Sequence, residues 1–335
     1  MPKARTVFFT APKQIEIRET SLPPLKENEV LVETSFSAIS AGTEMLVYRG
    51  QFPRLADAHD RVSSDLNYPL AYGYACVGQV KEVGKLVDGR WRDRSVFSFQ
   101  PHISHFITTP DFLIPIPEGI SFETACFLPG VETAVNLVQD GAPILGERVL
   151  VFGQGVVGLL TASLLNEFPV KCLVTADYYK LRREALNNKS HPSLDPATGD
   201  FLEQGKSFLG SGADLTFELS GSPSALNDAI ALTTFSGRII IGSWYGEKRA
   251  DINLGGAFHR SRIKLISSQV STIAPELTER WDKARRFEIA WEALKRIQPQ
   301  KWITHRFSLE ESKQAYQLLD ENPQDTIQVI FEYPS

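Results

Sequence analysis

Cysteine and methionine are scarce: 335 residues hold 3 Cys and 2 Met. Three thiols, Cys76, Cys126 and Cys172, cannot build an extracellular disulfide framework, and their spacing matches no structural zinc motif. A reducing cytoplasm is the expected setting, with all three as inert core thiols. An excess of basic charge is also missing. Lys and Arg number 35 against 40 Asp and Glu, a formal charge of −5, so neither nucleic acid nor a membrane is an expected partner. The greasiest stretch, 149–165, is interrupted by three glycines, Gln154, Thr161 and Ser163, and falls short of the ~20 apolar residues of a spanning helix. The opening Met1–Thr6 leads into only three apolar residues before Thr10, too few for a signal-peptide core. No period of roughly 20–50 residues repeats. What remains is an ordinary globular composition, 42% hydrophobic and 22% charged, at a length suited to two domains of roughly 100–200 residues.

The texture of the chain changes along its length. The first 120 or so residues read as β-rich, with strands predicted at 6–10, 14–18, 29–35 and 77–83 between Pro, Gly and Asn punctuation. Ser121-Phe122-Glu123-Thr124 predicts a helix start, a hydroxyl cap followed by an acid in the first turn. Strand-like and helix-like segments then alternate: 148–152, 156–166, 171–176, 181–186, 215–219, 224–233 and 238–241. That order predicts an α/β fold, a doubly wound parallel sheet with crossover helices. Asn187–Gly212 reads as a surface loop or ragged helix, because Pro192, Pro196, Gly199 and Gly205 interrupt it. A long helix is predicted over Pro275–Arg296, then strands at 303–307 and 327–331. The chain thus returns to β character, and the predicted division is 1–128 with 270–335 as one domain and 129–269 as the other.

Arg148-Val149-Leu150-Val151-Phe152 runs into Gly153-Gln154-Gly155-Val156-Val157-Gly158 and then an apolar helix. Alone, G-x-G-x-x-G is weak; between a strand and a helix it predicts a dinucleotide site. Gly153 permits the tight turn, Gly155 lets backbone approach a pyrophosphate, and Gly158 lets helix and strand pack closely. The amides around Val156 and Val157, at the helix N-terminus, attract the phosphates. The next strand ends at Asp177, placed to accept hydrogen bonds from ribose hydroxyls and to repel a 2′-phosphate. NAD is therefore expected over NADP, although Lys180, Arg182 and Arg183 could hold a phosphate instead of forming a solvated helix face.

Together these features resemble the medium-chain dehydrogenase/reductase family, over nearly the whole chain. The stretches that carry the likeness are Ala41-Gly42-Thr43-Glu44, 73–84 (Gly-Tyr-Ala-Cys-Val-Gly-Gln-Val-Lys-Glu-Val-Gly), the fingerprint, Phe217-Glu218-Leu219-Ser220-Gly221 and 303–310. The segments 39–44 and 267–270 look closest to the branch containing bacteriochlorophyllide a dehydrogenase, which oxidises a hydroxyethyl side chain on a tetrapyrrole. The resemblance implies a Rossmann-type domain inserted in a barrel-like (GroES-like) catalytic domain made from both chain ends, and a homodimer formed through edge strands near Arg238–Ile241. It also implies that Leu219, Ser220, Gly221, Ile241, Gly242 and Ser243 line the nicotinamide end of the crevice, with Arg182 near the adenosine ribose. Trp244 and Tyr245 would floor a pocket for a flat substrate or face a dimer partner.

The departures from the family carry as much. Zinc members read Cys-Gly-Ser/Thr-Asp where Ala41 stands in place of the Cys, and Gly-His-Glu where Tyr74 and Ala75 stand here. Zinc takes thiolate, imidazole or carboxylate donors, usually four, and no Cys lies between Gly84 and Phe112 to form a structural zinc lobe. No zinc is expected. Proton handling then falls to side chains, a contribution worth typically ~10²–10⁴ in rate. Thr43 matches the family's relay hydroxyl, Glu44 could act as base or steady the loop, Tyr74 could aim its phenol at a carbonyl oxygen, and His102 carries an imidazole suited to neutral pH. Against these roles, Thr43 and Glu44 could cap a helix from Met45, Tyr74 could pack with Tyr72, and His102 could be structural. His59, His105, His191, His259 and His305 are read as surface or structural. The expected activity is zinc-independent hydride transfer between NAD(H) and an alcohol or ketone on a small molecule, extending to a side chain on a larger ring. The alternatives are an NADPH-dependent enoyl or quinone reductase and an inactive nucleotide-binding sensor or assembly partner.

Overall fold

In the computed structural model, which describes residues 3–52, 66–186 and 191–334, the alternating helix and strand pattern after Glu118 closes into a single parallel sheet. Its six strands lie in the spatial order Ser193–Leu194, Cys172–Ala176, Arg148–Phe152, Ala213–Glu218, Thr233–Ile241, Lys264–Ser267. Every pairing is parallel. Counted along the chain this is 3-2-1-4-5-6, the doubly wound arrangement whose strand order reverses between the first and fourth strands. Being covered on both faces, its strands read as nearly continuous apolar runs. Leu150, Phe152, Val174, Ala176 and Ile239 share a core with Phe201, Leu209 and Ala229 from the helices.

The chain divides into two units, 1–129 with 298–335 and 130–297. The second boundary thus lies 28 residues (297 − 269) beyond the one expected from sequence. The cause is the fully buried guanidinium of Arg286, on helix Lys283–Ile297. It donates to Glu132 Oε1 at 2.9 Å, Asn136 Oδ1 at 2.6 Å and the Thr272 carbonyl at 3.1 Å. A buried charge must be paired, and all of its partners belong to this unit. The long helix predicted from Pro275 is shorter for a local reason. Pro275–Leu277 is a 3₁₀ turn, and Asp282 Oδ1 accepts from the Arg285 amide at 2.8 Å, starting a fresh helix as an N-cap does.

The segment read as loop or ragged helix, 187–212, carries the third strand and a regular helix, Phe201–Leu209. Phe201, Gly205 and Leu209 form its buried stripe at i, i+4, i+8. Gly205 is no breaker there: a Cβ on it would meet Leu232 Cδ2 at 2.8 Å, so the glycine allows close helix packing. The strand expected at a dimer edge, Thr233–Ile241, is interior; Lys264–Ser267 lies outside it.

The other unit is β-rich, as its composition predicted. One sheet runs Ile303–Ser308, Gln328–Glu332, Val30–Ile39, Cys76–Val83, Ser95–Ser98, Ile114–Pro115, with His105–Thr108 also paired to Val30–Ile39. The strand from the end of the chain pairs antiparallel with Val30–Ile39, Val329 opposite Ile39, which joins the last segment of the chain to the N-terminal part in one sheet. A smaller sheet joins Gln14–Ser21, Lys3–Ala11 and Leu70–Ala71. The same unit holds helix Thr43–Arg49, directly after the central strand, and helix Ser312–Glu321. Ser121 caps its predicted helix, accepting from the Thr124 amide at 3.2 Å. No helix among the described residues is long and apolar enough to cross a membrane.

Candidate active site and cofactor cradle

The glycine fingerprint sits at the reversal of strand order in unit 130–297. Gly153 has φ +86°, and a Cβ on it would meet the Leu219 carbonyl oxygen at 2.5 Å. Gly158 is more constrained still, since its Cβ would lie 1.8 Å from the Gly153 carbonyl oxygen. Gly155 is different: a Cβ there would touch nothing within 4 Å, and it is the N-cap of helix Val156–Leu165. The turn thus leaves open space in front of unpaired helix amides, the requirement for a pyrophosphate. Gln154 adds a buried carbonyl oxygen, Oε1, with no hydrogen-bond partner. These features fit a dinucleotide.

Asp177 stands at the end of the second strand, as expected, but its carboxylate also organises the turn. Oδ2 accepts from the Gln154 amide at 2.7 Å and Oδ1 from the Tyr179 amide at 2.8 Å. Of the three neighbouring cations, Arg183 is engaged with the carbonyls of Asp177 and Tyr178, at 2.7 and 2.8 Å, and with Asp195 at 2.9 Å. Arg182 lies over the Tyr179 ring, 4.8 Å from its centroid, and burial draws its pKa down against the pull of Asp177. Lys180 lies 3.8 Å from Glu184 on an exposed face.

The fourth and fifth strand ends come together beside the turn. Leu219 donates its amide to the Phe152 carbonyl at 2.8 Å. Gly242 is closely packed: a Cβ on it would meet Leu137 and Leu219 methyls at 2.6 Å, so a side chain there would require those leucines to shift. Ser243 Oγ accepts from the Gly221 amide at 2.9 Å. Ile241, Gly242 and Ser243 are partly exposed, and Ser220 is exposed. Trp244 is also exposed, whereas the Tyr245 phenol turns inward to Glu218 Oε2 at 2.5 Å; it is not a free pocket floor.

In the other unit the four proton-handling candidates fall into one cluster. Glu44 and His102 are both 0% exposed. His102 Nε2 lies 2.8 Å from Glu44 Oε2, and the same oxygen accepts from the Tyr316 phenol at 2.5 Å. Glu44 Oε1 accepts from the Ser40 amide at 2.9 Å. On the far side of the imidazole, Nδ1 meets Ser37 Oγ at 2.7 Å, and Ser37 Oγ meets Tyr333 Oη at 2.8 Å. A neutral His102 satisfies every contact in a single direction: Tyr333 donates to Ser37, Ser37 to Nδ1, and Nε2–H to Glu44. Apolar packing seals the group, with Phe331 edge-on to His102 at 4.9 Å and Phe9 to Tyr316 at 5.2 Å.

Tyr74 and Thr43 form the partly exposed end. The Tyr74 phenol hydrogen-bonds with the hydroxyls of Ser40 and Thr43, and burial, then the Glu44 charge, push its pKa up to about 12. It also packs edge-on against Tyr72 at 6.3 Å, so its packing and polar contacts coexist. Glu44 does not cap its helix; Gly42 is the N-cap and makes no side-chain bond. With Glu44 and His102 sealed from solvent, neither side chain reaches the surface as a base, and Tyr74 and Thr43 are the members of the cluster that keep some exposure.

The positions that hold zinc in the resembled family lack donors here: Ala41, Tyr74 and Ala75. Among the described residues no group of three or more His, Cys, Asp or Glu side chains converges on a point. The residues do not fit a zinc ion. Burial raises the thiol pKa of Cys76 to about 12 and holds that of Cys126 well above the ordinary thiol value, so both are inert; Cys172 is only partly buried. His305 Nδ1 is buried without a partner, His105 sits 3.6 Å from Glu33, and His59 lies outside the described residues.

Sequence reasoning missed Ser37, Ser40, Tyr316, Tyr333 and the Glu218 carboxylate as site members. Glu218 stood within a quoted motif. Ser40 lay within the segment 39–44 and bonds Glu44 four positions on; Ser37, Tyr316 and Tyr333 carried no local signal, since Tyr316 meets Glu44 across 272 positions.

No family model matches the chain. Among curated proteins it is similar to sorbitol dehydrogenase 1 of Saccharomyces cerevisiae, 25% identical over 291 residues that cover 75% of this chain and 78% of that protein. It is also similar to D-guloside 3-dehydrogenase of Escherichia coli, 24% identical over 348 residues, 97% of this chain and 99% of the relative. Among solved structures, the alcohol dehydrogenase rspB of E. coli, complexed with NADH, shares the fold with a TM-score of 0.78 at 19% identity, covering 98% of this chain and 99% of its own. The strand order and the fingerprint at its reversal agree with these likenesses: in sequence the chain is similar to sorbitol and D-guloside dehydrogenases, and it shares its fold with an alcohol dehydrogenase.

Proposed function

We propose that the protein is a zinc-independent oxidoreductase that transfers a hydride between NAD(H) and an alcohol or ketone. The observation that carries this reading is the open space at Gly155 in a turn placed where the parallel sheet reverses its order. Gly153, Gly155 and Gly158 with the amides of Val156 and Val157 hold the pyrophosphate, and Asp177, with Arg182 beside it, takes the adenosine ribose. Leu219, Ser220, Gly221, Ile241, Gly242 and Ser243 receive the nicotinamide half. When bound, the nicotinamide supplies the hydride acceptor or donor; everything else is done by side chains.

Proton transfer belongs to Tyr74 and Thr43. At neutral pH the Tyr74 phenol stays protonated, so it donates from Oη to a carbonyl oxygen as that oxygen gains negative charge. Thr43, hydrogen-bonded to the phenol, returns a proton to it. Glu44 and His102 act one layer back, holding the Ser40 backbone against which Tyr74 is set. This replaces the Lewis acid of zinc relatives by a positioned phenol. Relatives named for sorbitol and a D-guloside favour a hydroxyl carried on a larger polyol or ring. A homodimer in the cytoplasm completes the proposal.

The test is direct. Calorimetry on pure protein should show NADH binding more tightly than NADPH, and metal analysis should find far less than one zinc per chain. Hydride transfer should then appear with secondary alcohols or ketones. Heat with neither cofactor would remove the enzyme reading, stoichiometric zinc would remove the metal-free one, and NADPH-preferring reduction of enones or quinones would move the protein to the alternative reductase class.

A further inference from the structure

Glu218 is a carboxylate with 0% exposure at the last position of the fourth strand. It pairs in register with Phe152, the residue immediately before Gly153, and with Ile241 of the fifth strand. It therefore lies under the point where the sheet reverses. Its side chain accepts from three donors: the Tyr245 phenol at 2.5 Å, the Ser220 amide at 2.9 Å and the Ser220 hydroxyl. Its main-chain carbonyl accepts from the amides of Gly242 at 3.1 Å and Ser243 at 3.3 Å. Lys248 closes the same knot from outside, donating to the Gly221 carbonyl at 2.7 Å. One residue thus ties together 219–222 and 241–248, two loops that share no continuous chain.

We infer that Glu218 and Tyr245 are positioning residues for the nicotinamide half of the dinucleotide, a buried carboxylate–phenol clamp that fixes the two loops against each other. A buried anion of this kind persists only while all its donors stay in place, and that requirement holds Ser220, Gly221, Gly242 and Ser243 in one arrangement. The adenylate half is gripped elsewhere, by the fingerprint turn and Asp177. The inference rests on the cofactor reading above and predicts a split within the ligand. Tyr245→Phe, which removes one oxygen, and Glu218→Gln, which removes the charge, should each raise the Kd for NADH about tenfold. The Kd for AMP should change by less than about twofold, because AMP does not reach the loops.

Calorimetric titration of full-length protein and both variants with NADH and with AMP decides it, with circular dichroism to confirm folding. Tyr245→Phe carries the test alone should Glu218→Gln fail to fold. Unchanged NADH affinity, or equal weakening of NADH and AMP, overturns the clamp. Wild-type protein that binds neither NADH nor AMP overturns the cofactor reading itself and the clamp with it, a failure seen before any variant is measured.

Discussion

Gly153, Gly155 and Gly158 act within one turn of chain, whereas Ser37 and Tyr333, hydrogen-bonded in the other unit, are 296 positions apart. Both regions centre on a fully buried glutamate that accepts from a tyrosine at 2.5 Å, Glu218 from Tyr245 and Glu44 from Tyr316. They differ in what surrounds that carboxylate. Around Glu218 the partners are the next residues of two strand ends, and the neighbouring turn opens to solvent. Around Glu44 they are a histidine, a helix from the far end of the chain and an aromatic wall. A local turn is specified by which residues lack side chains; a long-range cluster is specified by which residues donate. Substitutions should therefore fail differently in the two places.

The largest effect is expected at Gly158. Its Ala variant forces a Cβ into the Gly153 carbonyl at 1.8 Å and should cost about 3 kcal/mol or more of stability in urea unfolding. Gly155→Ala, with open space at that position, should stay within about 1 kcal/mol of wild type while NADH binding is lost. Equal stabilities for the two variants would dissolve the division of labour between these glycines.

In the polar cluster, Tyr74→Phe removes only the phenol oxygen. Turnover should fall about a hundredfold, with the unfolding midpoint and NADH affinity little changed; a parallel loss in cofactor affinity would argue for a packing role. Glu44→Gln should show the reverse pattern, costing about 2 kcal/mol of stability because three donors lose their anion. The imidazole resonances of His102 should shift with it, and an unmoved spectrum would contradict the Glu44–His102 contact. Asp177→Ala should reduce discrimination between NAD and NADP by roughly tenfold, about 1.4 kcal/mol, and unchanged selectivity would leave Asp177 with its turn-organising role alone.

The smallest effect is confined to alkaline pH. The Tyr74 phenol titrates near 10 in an unfolded chain and is raised to about 12 in the fold. Below pH 10 its contribution to stability is complete; between about 10 and 12 the unfolded chain releases a proton that the folded one retains, so stability falls. Tyr72, Tyr245, Tyr316 and Tyr333 are raised in the same direction, each by burial first. The thermal midpoint should drop above pH 10, less steeply in Tyr74→Phe, and tyrosinate absorbance should rise late.

Much of the parallel sheet was legible because apolar strands and helix starts alternate on a short period, and because a fingerprint has meaning only between a strand and a helix. Its third strand was hidden by brevity: Ser193–Leu194 is too short to show any period. The helix after it was hidden by Gly205, which reads as a breaker until Leu232 is seen packed against it. Helix Lys283–Ile297 was recognised as a helix but assigned to the wrong unit, since its allegiance is decided by Arg286 reaching Glu132 across 154 positions. In the polar cluster, Thr43, Glu44, Tyr74 and His102 were legible as chemistry-bearing side chains at positions of family likeness. Their division into a sealed pair and a partly exposed one was not, because burial is a property of the whole unit.

By itself, then, the order of residues determined the strand–turn–helix with its glycines, the acid at the second strand end and the absence of donors at the usual zinc positions. Each follows from local sterics or from the chemistry of a single side chain, which neighbours in space cannot alter. Tertiary structure alone decided that Glu44 and His102 are enclosed while Tyr74 and Thr43 keep some exposure, and that Glu218 knots two loops through Tyr245. Those outcomes depend on hydrogen bonds and packing between residues far apart in the chain, which take a direction and a worth only once water has been removed from between them.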